Sequence, residues 1–117
     1  MAYSKDQLIL RDGQAASGKV LDKEFKIKTS FATLTLKKSK IVHIHFMRPD
    51  GTGFPPADQI KTNNGDDLYG KILQPKIISF VLATNGQLVK IHRDKINTLV
   101  FLDSLDEQSA NYPKITL

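Results

Sequence analysis

His43 and His45 alternate with Val42, Ile44 and Phe46, a spacing that puts both imidazoles on one face of a β-strand. Two imidazoles so placed, with one more donor, can hold zinc or copper. The third histidine, His92, lies far along the chain with nothing to bring it near, and the chain has no cysteine. Two half-exposed strand histidines are therefore the simpler reading, and no metal or cofactor is expected. Asp66-Asp67 follows Asn63-Asn64-Gly65 and offers a carboxylate pair, but turns collect these residue types for backbone reasons alone. Asp50-Gly51-Thr52-Gly53 lacks the Lys-Ser/Thr of a phosphate-binding loop, and no nucleophile with a base and an orienting group can be assembled. The reading is not an enzyme.

The cations are more informative than the candidate catalytic groups. Residues 1–50 hold ten Lys or Arg against five Asp or Glu, whereas residues 51–117 hold seven of each, so the net charge of +5 sits in the first part of the chain. Lys26 and Lys28 share one strand face, Lys37, Lys38 and Lys40 follow, and His43 and His45 come next. These seven residues form the expected basic face, able to engage an acidic protein surface or nucleic-acid phosphates. The start of the chain has no apolar signal-like run, and nothing approaches the roughly 20 apolar residues of a membrane span. The expectation is a cytoplasmic protein without membrane insertion.

The elements that carry these residues are written twice. Asp6-Gln7, Gly13, Gly18-Lys19 and Leu21 recur as Asp58-Gln59, Gly65, Gly70-Lys71 and Leu73 at an offset of 52. The match resumes at an offset of 55, pairing Phe25 with Phe80, Thr29 with Thr84, Lys40-Ile41 with Lys95-Ile96 and Phe46 with Phe101. Such a period means one supersecondary unit used twice. Period-two alternation dominates, with no helical window. Leu8-Ile9-Leu10-Arg11 runs into Asp12-Gly13 and Gln59-Ile60-Lys61-Thr62 into Asn63-Asn64-Gly65, and the type I′ hairpin turn favours Asp-Gly and Asn-Gly. Phe25, Ile27, Thr29 and Phe31 are read as inward-facing, as are Phe80, Leu82 and Thr84. The organisation expected is a first β repeat over residues 6–47, a Pro/Gly linker over 48–57, a second β repeat over 58–102 and a tail over 103–117. Units this small bury too little apolar surface to stand alone, so they are expected to share a core.

Comparing the copies separates two kinds of outward surface. Lys26 and Lys28 become Val81 and Ala83, Thr33 becomes Leu88, and His45 and Met47 become Val100 and Leu102. Val81, Ala83, Leu88, Val100 and Leu102 are therefore expected to form an apolar face covered by the first unit, by the tail residues Tyr112, Ile115 and Leu117, or by a second copy of the chain.

Leu8-Ile9-Leu10-Arg11-Asp12-Gly13 followed by Gly18-Lys19-Val20-Leu21 resembles the first motif of Sm-like small β-barrels, and Ile60 to Leu73 resembles it again. The second Sm motif, an Arg-Gly near the end of the fold, is absent; the corresponding runs are Lys40-Ile41-Val42-His43 and Lys95-Ile96-Asn97-Thr98. The resemblance implies a bent five-stranded barrel of the Sm-like or SH3-like kind, without the RNA pocket. The expected fold is thus all-β: two tandem homologous five-stranded bent sheets or small barrels packed as one body. The expected role is a non-enzymatic binding or assembly module, with a protein partner or self-association first and nucleic acid as the alternative.

Overall fold

The computed structural model describes residues 6–51 and 57–101. The alternating runs form ten strands: β1 (Asp6–Leu10), β2 (Ala15–Val20), β3 (Glu24–Lys28), β4 (Thr33–Lys37), β5 (Ile41–His45), β6 (Asp58–Thr62), β7 (Asp67–Gln74), β8 (Ile77–Leu82), β9 (Leu88–His92) and β10 (Ile96–Val100). Single 3₁₀ turns, Lys38–Lys40 and Arg93–Lys95, precede β5 and β10, and there is no α-helix among the described residues. Leu102, residues 52–56 of the linker and the tail lie outside the described residues.

All ten strands join one curled antiparallel sheet, in the order β4-β3-β7-β6-β5-β10-β1-β2-β8-β9. The chain does not set one repeat's sheet beside the other's. Instead β2 pairs with β8 and β7 with β3, so strands from the two parts of the sequence interleave. Replacing each strand by the one five places on in the chain reverses the order, which gives the connectivity an approximate two-fold axis between β5 and β10.

The interleaving turns on two glycines. β2 pairs with β1 up to Gly18 and with β8 from Gly18 onward; β7 pairs with β6 up to Gly70 and with β3 from Lys71 onward. A Cβ on Gly18 would lie 2.0 Å from the Val81 carbonyl oxygen, and one on Gly70 would lie 2.0 Å from that of Lys28. Only a residue without a side chain lets the backbones approach this closely where the strand bends.

The hairpin turns differ from the type expected. Gly13 N donates to Leu10 O (3.0 Å) and Leu10 N to Gln14 O (2.8 Å); Gly65 N donates to Thr62 O (3.1 Å) and Thr62 N to Asp66 O (2.9 Å). These are three-residue loops with only the glycine at positive φ, 94° and 97°. A type I turn followed by a left-handed glycine satisfies that pattern, so Asp12 and Asn64 need not leave the ordinary φ range as a type I′ turn would require.

The core draws on both parts of the chain. Phe25 and Ile27 of β3, Ile78 and Phe80 of β8, Ile44, Leu99 and Phe101 are all fully buried in one cluster, with the Phe25 and Phe101 rings 5.7 Å apart. Burying each such side chain stabilises the fold by about 1.5–3 kcal/mol. Phe31 and Thr84 depart from the inward reading. β3 ends at Lys28, and the Thr29 hydroxyl then accepts from Phe31 N (3.2 Å) and Ala32 N (3.1 Å), turning the chain so that Phe31 is left 70% exposed. Thr84 is exposed in the turn around Gly86, whose φ is 73°.

Two buried carboxylates hold the bends from within. Asp6 accepts from Val20 N and Asp58 from Ile72 N, each at 2.8 Å. Lys38 pairs with Asp6 at 2.7 Å and donates to Val20 O at 2.9 Å, while Arg93 donates to Ile72 O. A buried carboxylate is tolerated only with partners of this kind. Asp6 and Asp58, Val20 and Ile72, and Lys38 and Arg93 are all separated by the sequence offsets.

Candidate binding face

The outer side of the sheet divides into two unlike halves. One half is presented by β3, β7, β6 and β5. Lys28 lies directly opposite Lys71, and Lys26 opposite Gln74, on neighbouring β3 and β7. Tyr69, two residues before Lys71 and on the same face, lies opposite Gln59 of β6. Gln59 and Lys61 in turn oppose His45 and His43 of β5. The row is continuous from the lysines to the imidazoles, wrapping the bend at Gly70.

A bulge aims the histidines. Pairing between β5 and β6 steps from Ile41–Thr62 to His43–Lys61, leaving Val42 unmatched. One extra residue flips the alternation, so that Ile41 and Ile44 are both buried while His43 and His45 point outward. The two rings stand 4.5 Å apart, and His45 Nδ1 is 2.9 Å from the Thr98 hydroxyl. Partial burial lowers the pKa of both, and for His43 the neighbouring His45 and Lys61 charges lower it further while Asp67 raises it. Both imidazoles are thus biased toward the neutral form.

Charge on this half is poorly compensated. Among the described residues none of Lys26, Lys28 and Lys71 has a carboxylate within ion-pair distance. Two like charges directly opposite on a sheet repel, a cost that an anionic partner would remove. Two acidic residues face outward here: Asp67, engaged by Lys61 (3.6 Å) and by the Gln59 amide (3.3 Å), and Glu24, two residues before Lys26 on β3 and opposite Lys37. Tyr69 is 47% exposed.

Of the seven residues read as a basic face, Lys26, Lys28, His43 and His45 meet here. Lys37 lies at the far end of β4, opposite Glu24. Lys38 turns inward to Asp6, with Nζ 5.5 Å from the centre of the Phe101 ring, and serves the fold. Lys40 borders a separate hollow with Phe31, Leu34, Leu36 and Asn63. Lys61, Lys71 and Tyr69 complete the face and come from residues 51–117, where net charge is zero; the pairing of β6 with β5 and of β7 with β3 brings them in.

The residues read as an apolar face do not form one patch. Val81 opposes Leu88 and Lys19 near the β9 edge, whereas Val100 opposes His43 and Gln7 in the middle of the sheet, with β1 and β2 between them. Nor are they all covered: Ala83 is exposed, Leu88 is 49% exposed, and Val81 and Val100 are half-buried. Leu102 and the tail residues Tyr112, Ile115 and Leu117 lie outside the described residues.

No group of three or more His, Cys, Asp or Glu side chains among the described residues is arranged to hold a metal ion. His92 sits in the β9 edge strand, where Nδ1 accepts from Asp94 N at 3.1 Å. No helix among the described residues is long and apolar enough to cross a membrane. No protein-family model, curated protein or solved structure matches the chain.

Proposed function

We propose that this protein is a non-enzymatic binding module, built from two copies of a small-barrel unit of the Sm-like or SH3-like kind that have exchanged strands, and that the outer side of β3, β7, β6 and β5 takes an acidic partner. The observation that carries the reading is Lys28 facing Lys71 across two paired strands, with Lys26 alongside and no carboxylate at ion-pair distance among the described residues. Like charges directly opposite on a sheet cost stability, and an anionic partner would relieve that cost. The repeated Asp-backbone and Lys/Arg-carbonyl bonds at the two bends support the two-copy reading. The test is retention on a heparin column. Lys28→Glu with Lys71→Glu should elute at clearly lower salt than the parent, whereas Lys90→Glu with Lys95→Glu, an equal change of net charge on exposed residues elsewhere, should shift elution much less. Equal shifts for the two pairs would mean that net charge alone acts.

Self-association is a second reading, favoured by Leu88, Ile77 and Leu21, which are 49%, 50% and 43% exposed toward the β9 edge of the sheet. A solvent-exposed edge strand with apolar neighbours is a ready surface for a further strand. Sedimentation over a range of concentrations should give an association that Leu88→Lys weakens; a strict monomer would remove this reading.

A further inference from the structure

We infer that the occupant of the cationic half-face is a single-stranded nucleic acid, with its phosphates on Lys26, Lys28 and Lys71 and its bases against Tyr69, His43 and His45. This rests on the binding reading above and adds the class of partner.

An acidic protein surface would require only the lysines. The face has more than charge. Tyr69 stands 47% exposed next to Lys71 on the same strand face, although a tyrosine ring is large enough to repay burial. Across Gln59 lie the two imidazoles, their ring centres 4.5 Å apart. Adjacent strands stand about 4.8 Å apart, so Tyr69 and His45, two strands removed, are separated by roughly 10 Å at the backbone. Separate bases of one strand can therefore each be offered a flat ring, with the lysine row beside them. Partial burial holds the imidazoles toward their neutral form, which leaves them as stacking surfaces rather than further cations. Lys26, Lys28 and Lys71, with no carboxylate at ion-pair distance among the described residues, mark where the phosphates would lie.

A duplex offers this face only its phosphates, since its bases are already stacked and paired. Single strands leave base faces free for aromatic side chains, and such contacts tolerate any base sequence. The expected ligand is therefore a single strand of RNA or DNA with little sequence preference.

Fluorescence anisotropy with a labelled oligothymidine of about 12 nucleotides, competed by a duplex of equal length and by polyglutamate, tests the inference. The full chain should bind the single strand at least about ten-fold more tightly than either competitor. Log affinity should fall with log salt at a slope near −2, roughly −0.7 for each of three phosphates neutralised. Tyr69→Ala should weaken binding about ten-fold while leaving that slope unchanged, and Tyr69→Phe should restore it. Lys28→Glu with Lys71→Glu should abolish binding. If polyglutamate or the duplex competes as well as the single strand and Tyr69→Ala has no effect, the nucleic-acid inference falls while the acidic-partner reading stands. If no polyanion binds, both fall. Circular dichroism of each variant separates loss of binding from loss of fold.

Discussion

Ile44 of β5 pairs with Leu99 of β10, and each is the other's counterpart in the repeated sequence, 55 residues apart. On either side, Phe46 N donates to Asn97 O (3.0 Å) and Phe101 N to Val42 O (2.8 Å), two bonds that the same offset exchanges. The approximate axis of the sheet therefore runs through this pair, and the two parts of the chain are joined by equivalent residues meeting each other. Both side chains are fully buried. Ile44→Ala and Leu99→Ala should each cost about 2–5 kcal/mol, and because the residues touch, the double variant should depart from the sum by at least about 0.5 kcal/mol. Urea denaturation of the four proteins of the cycle measures both quantities.

Gly18 and Gly70 should be the least replaceable glycines of the sheet. An added methyl at either meets a backbone carbonyl of the adjoining strand at 2.0 Å, and a backbone atom cannot swing aside as a side chain can. Gly18→Ala and Gly70→Ala are each expected to lose about 3 kcal/mol or more. The turn glycine Gly13, at φ 94° but with open space around its Cβ position, should lose less on the same change. Thermal melting of the three variants gives the ranking, and a Gly70→Ala protein as stable as the parent would contradict the close approach.

Stability should depend on pH through the histidine pair. Burial lowers the folded-state pKa of His43 and His45 below their ordinary value of 6.5, so the unfolded chain takes up protons first as pH falls. Their contribution is fully present above about pH 6.5 and is lost progressively as pH drops through that value toward the lower folded pKa. The urea midpoint should therefore fall between about pH 7.5 and about pH 5.5, and His43→Gln with His45→Gln should flatten that slope. An unchanged slope in the double variant would mean that other groups govern this range.

Much of the fold was legible because its determinants are local. Alternation announced the strands, Phe25, Ile27 and Phe80 announced the core side, and Gly18 and Gly70 announced the bends. Phe31 was misread because the Thr29 hydroxyl diverts the chain one residue after the strand ends, a hydrogen-bond effect that periodicity does not register. The candidate face was half legible. Lys26, Lys28, His43 and His45 could be found from alternation, but Lys71 and Tyr69 join them only because β7 leaves β6 at Gly70 and pairs with β3. That pairing is set by where two bent strands meet in space. Division of the charge between sequence halves pointed away from it, since the sheet groups strands in a different order from the chain.

The central claim, that the outer side of β3, β7, β6 and β5 is the binding surface, is tested most directly by titrating the isotope-labelled protein with the oligothymidine and following its amide resonances. Shifts should be concentrated at Lys26, Lys28, Tyr69, Lys71 and His45, with Val81, Leu88 and Lys90 at the β8–β9 end of the sheet unmoved. Shifts centred on β8 and β9 with Tyr69 and Lys71 silent would contradict it.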